Sequence, residues 1–178
     1  MSKFKFLGVF LLAAVLQGCP YESAVPAGVE PIDVPKEFIG KWVKSDNLGD
    51  ENLDTYIVSS PSKKSILVTN IEYSSYSGNY DTTNYVGQVS NIKGQLFLSL
   101  KQRAAAGEQT SPMEEDENEY YIYKIRPYLN YYTLDELSTD ITEKFESAAD
   151  FQRFIEQHLD NELFYRDSRD TYVKIPSK

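Results

Sequence analysis

The sequence predicts a mainly β protein: an antiparallel up-and-down barrel, or a flattened barrel or sandwich, with one amphipathic helix before its last strand. Three observations predict it. From Lys36 onward, short runs rich in β-branched and aromatic residues recur between polar, Gly or Pro-containing breaks at fairly regular intervals. The connections between successive runs are short, which favours antiparallel neighbours in chain order. Near the C-terminus one segment changes from strand-like to helical spacing of its apolar residues.

The runs assigned as strands are Phe38 to Lys44, Thr55 to Ser59, Ser65 to Glu72, Asn84 to Ile92, Gln95 to Leu100, Glu119 to Ile125, Asn130 to Leu134 and Thr171 to Ile175. In Gln95 to Leu100, Leu96, Leu98 and Leu100 fall on one face and Gln95, Phe97 and Ser99 on the other, so one side of that strand is expected to face a core. Asn91-Ile92-Lys93-Gly94 reads as a tight hairpin in which the glycine supplies a positive φ, and Pro61 and Pro127 mark two further reversals.

Between Ser147 and Leu159, Phe151, Phe154, Ile155, His158 and Leu159 share one helical face, and Ser147 with Asp150 forms a variant of the capping box. This helix is expected to pack on the β-structure or plug one end of it. Asp135 to Glu146 reads as loop, with short strand character around Ile141.

Ahead of the strands the chemistry differs. Met1 to Lys5 carries two lysines, and an apolar run from Phe6 to Leu16 follows; this is the pattern of an export signal. The run is shorter than the ~20 residues a transmembrane helix needs. Directly after it comes Cys19, the only cysteine of the chain, so no disulfide within the chain is available. Pro20, Pro26, Pro31 and Pro35 punctuate a stretch with few large apolar side chains, which is expected to be an extended tether.

Leu16-Gln17-Gly18-Cys19 resembles the bacterial lipobox. That resemblance implies diacylglycerol on the Cys19 thiol, cleavage before it and acylation of the new amino group. Two or three acyl chains anchor durably where one is marginal. The domain division expected is therefore a signal peptide at 1–18, a lipidated proline-rich tether at 19–35 and a barrel domain at 36–178. Pro20 stands where many proteobacterial lipoproteins kept in the inner membrane have Asp, so the resemblance implies the outer membrane, facing the periplasm, for a source with two membranes.

Phe38-Ile39-Gly40-Lys41-Trp42 carries a G-x-W that resembles the opening signature of lipocalins and the wider calycin group. The resemblance implies that Gly40 and Trp42 close one end of a barrel, with an Arg near the last strand, here Arg166 or Arg169, packed over the indole. The C-terminal stretch "SAADFQRFIEQHLDNELFYRDSRDTYVKI" is also similar to that of small bacterial lipoproteins of uncharacterised role.

Composition narrows the function. Removing residues 1–18 takes away Lys3 and Lys5, so the formal charge of −9 becomes −11. An acidic surface of that size disfavours nucleic acid and adsorption to anionic lipid, which leaves the acyl anchor as the expected contact with the bilayer. His158 is the only histidine, sits on the apolar side of the helix near its C-terminus, and is read as structural. With one histidine and the thiol used as an anchor, Ser-His-Asp and Cys-His machinery cannot be assembled.

The acidic runs Glu114 to Glu117 and Asp46 to Asp54 lack the ligand spacing of a calcium loop and read as solvated segments. No catalytic residue, metal or cofactor is assigned. Fourteen tyrosines remain as the unusual feature. Those in the cluster Tyr120 to Tyr132 are read mainly as strand formers. Tyr73, Tyr76, Tyr80 and Tyr85, interleaved with Ser, Gly and Asn, are the candidates for contact with a ligand or partner. The expected role is non-catalytic: binding of a small apolar or amphipathic molecule, or else a structural or protein-interaction module of the cell envelope whose barrel is filled.

Overall fold

Each strand expected from Lys36 onward forms, and together they close on themselves. The computed structural model describes residues 21–49, 53–103, 119–128, 131–138, 140–165 and 170–176. Among the described residues the strands are β1 (Glu22–Ser23), β2 (Gly40–Lys44), β3 (Thr55–Ser62), β4 (Ser65–Ser74), β5 (Asn79–Ile92), β6 (Gln95–Arg103), β7 (Tyr120–Tyr128), β8 (Tyr131–Glu136) and β9 (Asp170–Ile175). The α-helix, α1 (Ala148–His158), lies in the connection from β8 to β9. From β2 to β8 every strand pairs antiparallel with the next, and β9 sits between β8 and β2. The result is a closed eight-strand antiparallel barrel, with β1 as a short addition beside β7. Closure leaves the barrel without a free edge, which an open sandwich would have retained.

The local chemistry follows the expected turns in most places. At the β5–β6 hairpin, Lys93 (φ 51°) and Gly94 (φ 87°) both take the left-handed backbone of a type I′ turn, and the Asn91 side chain accepts a hydrogen bond from the Gly94 amide at 2.8 Å. Pro61 and Pro127, expected at reversals, lie instead within the last residues of β3 and β7. The β3–β4 turn falls at Lys63 and Lys64, after a register shift between Ser59 and Ser62 that accommodates Pro61. Ser147 caps α1 as expected: its hydroxyl oxygen accepts from the Asp150 amide at 3.1 Å and its hydroxyl donates to the Asp150 carboxylate at 2.8 Å. Leu137, in the segment expected to be loop, makes an isolated bridge to Tyr165.

Two cores result, one inside the barrel and one outside it. The interior takes alternate residues of each strand, among them Ile66, Val68, Val89, Leu98, Leu100 and Ile125. The outer core lies against β5, β6 and β7, where Ile92, Phe97 and Ile122 meet Phe151 and Ile155 of α1 together with Tyr21, Ala27, Leu137, Ile141 and Tyr165. The helix therefore packs on the barrel wall. Strand β6 is buried on both faces: Leu98 and Leu100 point into the barrel, while Phe97 and Ser99 are fully buried in the outer core. The expectation of a core on one side only is corrected by the second layer of chain over it.

That second layer includes the stretch expected to be an extended tether. Residues 21–35 lie packed against the barrel, with Tyr21, Ser23, Ala27 and Val34 buried. The cause is the stagger of the strands. Register pairing of β4 with β5 ends at Gly87, which leaves backbone groups of β5 exposed below it; the Ile32 amide donates to the Val89 carbonyl at 2.9 Å and Pro31 bridges Ser90. Likewise β8 ends opposite Tyr123, and β1 pairs with Tyr120 and Tyr121 where it runs out. Buried backbone groups require partners, and the N-terminal arm supplies them. The Ala27 amide donates to the Ser99 hydroxyl at 3.0 Å, which satisfies a serine on the buried outer face of β6.

Candidate functional site

The interior is only partly filled. A cavity of about 270 Å³ lies within the barrel, and its walls are the inward positions of the strands. Its lower part is apolar, formed by Phe38, Trp42, Ile66, Val68, Leu98 and Ile125. The arm closes this end: Val34, whose amide donates to the Lys63 carbonyl at 2.7 Å, and Phe38 both belong to the interior core. The upper part is polar and aromatic, with Tyr56, Tyr85, Tyr123 and Tyr172 beside Lys44, Asn70, Glu136 and Asp170. The Lys44 and Asp170 side chains are 28% and 39% exposed, so the cavity meets solvent at their end of the barrel.

Trp42 is buried on the floor of this cavity. It is 6% exposed, its indole N–H donates to the Phe38 carbonyl at 2.8 Å, and its ring meets Tyr132 edge-on at 5.4 Å. Gly40, two residues earlier, has φ 143°, a backbone few other residues adopt, and a Cβ there would come within 2.7 Å of the Lys174 side chain. The cation found over the indole is Lys174, whose Nζ lies 5.5 Å from the ring centroid and donates to the Glu37 carbonyl at 2.9 Å. Arg166 and Arg169, expected in that place, lie outside the described residues. So does Cys19.

The four tyrosines of the first cluster part company. Tyr85 points inward and lines the cavity. Tyr73 and Tyr80 are opposite one another on the β4–β5 hairpin with their rings 5.3 Å apart, on the outer face, and Tyr76 at the turn is fully exposed. These three do not reach the cavity. Tyr123 and Tyr132, from the cluster read as strand formers, do line it, as do Tyr56 and Tyr172.

Burial governs the chemistry of these phenols. Desolvation raises the pKa of Tyr56, Tyr85, Tyr123 and Tyr172, and neighbouring carboxylates add to it: Glu136 beside Tyr123, Asp170 beside Tyr172 and Glu72 beside Tyr85. All four hydroxyls are therefore neutral at physiological pH. Burial pulls the Lys44 pKa down, but its 2.7 Å contact with Asp170 outweighs this and raises it, so the ammonium stays charged. The Asn70 Oδ1 atom is buried and accepts no hydrogen bond from the protein.

Other polar groups lie outside the cavity lining. His158 lies between the rings of Phe154 and Phe164, with centroids 4.7 and 4.4 Å away, on the outer side of the barrel wall. Lys124, on the outward face of β7, donates to the Leu159 carbonyl at 2.9 Å and covers the Tyr165 ring at 4.0 Å. Asp135 is held by Arg126, which also reaches Glu162. Among the described residues no group of His, Cys, Asp and Glu is placed to hold a metal ion, and no helix is long and apolar enough to cross a membrane.

Sequence reasoning missed Lys44, Tyr56, Asn70, Glu136, Asp170 and Tyr172 as cavity residues. A signal existed. Once Trp42 is taken as inward, strand alternation makes Lys44 inward too, and Ile66 and Val68 do the same for Asn70. No family model matches the chain, and no curated protein and no solved structure matches it either.

Proposed function

We propose that this protein binds a compact amphipathic molecule inside its barrel while held at the cell-envelope membrane by acylated Cys19, as a bacterial lipoprotein of calycin-like architecture. The observation that carries the reading is the cavity of about 270 Å³, apolar at its closed end and polar where it meets solvent. This lies just below the ~300–1,000 Å³ typical of ligand pockets, which favours a single ring or a short chain over a whole phospholipid. The lining groups suit binding better than turnover: the phenols are neutral and the lysine is already paired. The exposed Tyr76 beyond the Tyr73–Tyr80 pair favours a second role as a protein-contact surface, independent of the cavity.

Binding is tested with the protein's own reporter. Trp42 is the only tryptophan and lines the cavity, so micromolar-range addition of a small amphipathic dye to the full chain is expected to shift its emission. Val58→Phe, which places a ring in the lumen, is expected to weaken that response at least ten-fold. Unchanged emission across short fatty acids, aromatic amphiphiles and dyes would return the barrel to a purely structural role.

Tethering is tested separately. Cys19→Ser is expected to abolish fatty-acid labelling and move the protein from the membrane to the soluble fraction; equal labelling of the variant defeats the proposal. Only Pro20 separates Cys19 from the buried Tyr21. At ~3.3–3.6 Å per residue, an anchor there holds the barrel within about a nanometre of the bilayer surface.

A further inference from the structure

The hydroxyls of the cavity wall divide into engaged and unengaged ones. Lys44 and Asp170 hold each other at 2.7 Å, the Tyr172 hydroxyl donates to the Asp170 carboxylate at 3.4 Å, and the Tyr56 hydroxyl interacts with that of Tyr172. These side chains of β2, β3 and β9 form one network on one side of the lumen. Tyr85 of β5 and Tyr123 of β7 stand on the opposite wall. Among the described residues neither of their hydroxyls has a hydrogen-bond partner. Both residues are only half-buried although they point into a closed barrel, so the surface they keep belongs to the lumen and its mouth, and neither hydroxyl is sealed from it.

Burial raises the pKa of both phenols, so each keeps its proton at physiological pH. A phenol donates that proton more readily than its oxygen accepts one, because the ring draws on the oxygen lone pairs. The group such a pair calls for is an acceptor, a carbonyl or ether oxygen, and a donor left without one inside the barrel forfeits free energy that a ligand acceptor recovers. The rest of the wall is rich in rings. On the floor the Tyr132 ring meets Phe38 edge-on at 5.1 Å and Trp42 at 5.4 Å, and nearer the mouth Tyr56 and Tyr172 meet at 5.2 Å. A lumen built of rings favours a further ring, since edge and offset contacts between rings add to the burial of their area.

We infer that the cavity takes an aromatic molecule carrying a hydrogen-bond acceptor, such as an aryl ketone or aryl ether, in preference to a saturated ring of the same size, and that Tyr123 and Tyr85 are the donors that receive the acceptor. The inference rests on the ligand-binding reading above. The ring lies among Phe38, Trp42 and Tyr132, and the acceptor points up the lumen toward the two free hydroxyls. One ring with a short side chain is also the size that about 270 Å³ admits.

The test uses the full chain at neutral pH with three probes of the same carbon count, propiophenone, propylbenzene and cyclohexyl ethyl ketone, titrated by ligand-detected NMR alongside a small amphipathic dye. Propiophenone is expected to bind about two- to ten-fold more tightly than cyclohexyl ethyl ketone, the range for an aromatic pair. Tyr123→Phe keeps the ring and removes the donor. With Tyr85→Phe added, it is expected to weaken propiophenone about three- to ten-fold, the range for a hydrogen bond, and to leave propylbenzene unchanged. If the paired substitution leaves propiophenone unchanged, or weakens propylbenzene equally, the donor role is refuted. If cyclohexyl ethyl ketone binds as tightly as propiophenone, the ring preference is refuted. In either case, or if the dye binds and no probe does, this inference falls while ligand binding stands. If the dye fails to bind as well, both readings fall together.

Discussion

A chain that begins at Lys36 is expected to lose cooperative folding, although every barrel strand lies after that residue. Such a chain lacks Tyr21, Ser23, Ala27 and Val34, all buried, and uncovers the outer faces of Ile92, Phe97 and Ile122. Burial of a large apolar side chain stabilises by about 1.5–3 kcal/mol, so Tyr21 and Val34 with the surfaces they cover amount to about 5 kcal/mol or more. That is comparable with the lower end of the 5–15 kcal/mol that holds an ordinary domain together. The loss also strands the Val89 carbonyl and the Ser99 hydroxyl, which the arm satisfies. Urea unfolding followed by circular dichroism, comparing chains that start at Pro20 and at Lys36, checks this. The shorter chain is expected to show a broad transition and to bind a hydrophobic dye at zero urea; equal midpoints would mean that the arm only decorates the barrel.

The arm was illegible in the sequence for a physical reason. Tyr21, Ala27 and Val34 are isolated apolar residues among prolines and small polar ones, with no period of their own, and they become core only because the wall they meet is apolar. The clue lay on the wall. Phe97 and Ile92 sit on faces that alternation assigns to solvent, and a large apolar residue in such a slot calls for a covering layer. The strands themselves were legible because alternation and turn chemistry act locally. Asn91-Ile92-Lys93-Gly94 specifies its hairpin without help from distant residues, and Ser147 with Asp150 specifies the start of α1.

The cavity was half legible. Its floor follows from Gly40 and Trp42 together with the apolar positions of β4 and β6. Its polar half consists of residues such as Asn70 and Glu136 at inward positions where a filled barrel would carry apolar ones, a local inconsistency that reads as noise until closure is known. Tyrosine gave no guidance, because strand formation and site formation both favour it; only the inward or outward parity of each position separates Tyr123 from Tyr73. Gly87 marks the same lumen from the backbone side. A Cβ there would stand 1.9 Å from the Ser99 carbonyl of β6, so β5 and β6 can bend together only past a glycine.

Trp42→Ala is expected to destabilise the protein by about 3–5 kcal/mol, the range for truncating a buried Trp or Phe. Three interactions go at once: the indole N–H to the Phe38 carbonyl, the edge contact with Tyr132 and the position of Lys174 over the ring. The space left joins the existing cavity, so the surrounding strands have little to collapse onto, which favours the upper part of that range. Trp42→Phe keeps the apolar floor and loses the donor, and is expected to cost about 1–2 kcal/mol, the value of one buried hydrogen bond with some packing. Urea midpoints by far-ultraviolet circular dichroism give both values without the tryptophan signal. A loss below about 1 kcal/mol for Trp42→Ala would mean that Phe38 and the arm close the barrel without the indole. The ligand arm of the same experiment separates floor from fold: Trp42→Phe is expected to retain binding of a small amphipathic dye within a few-fold, because the phenyl ring keeps the floor apolar, whereas Trp42→Ala is expected to lose it with the floor.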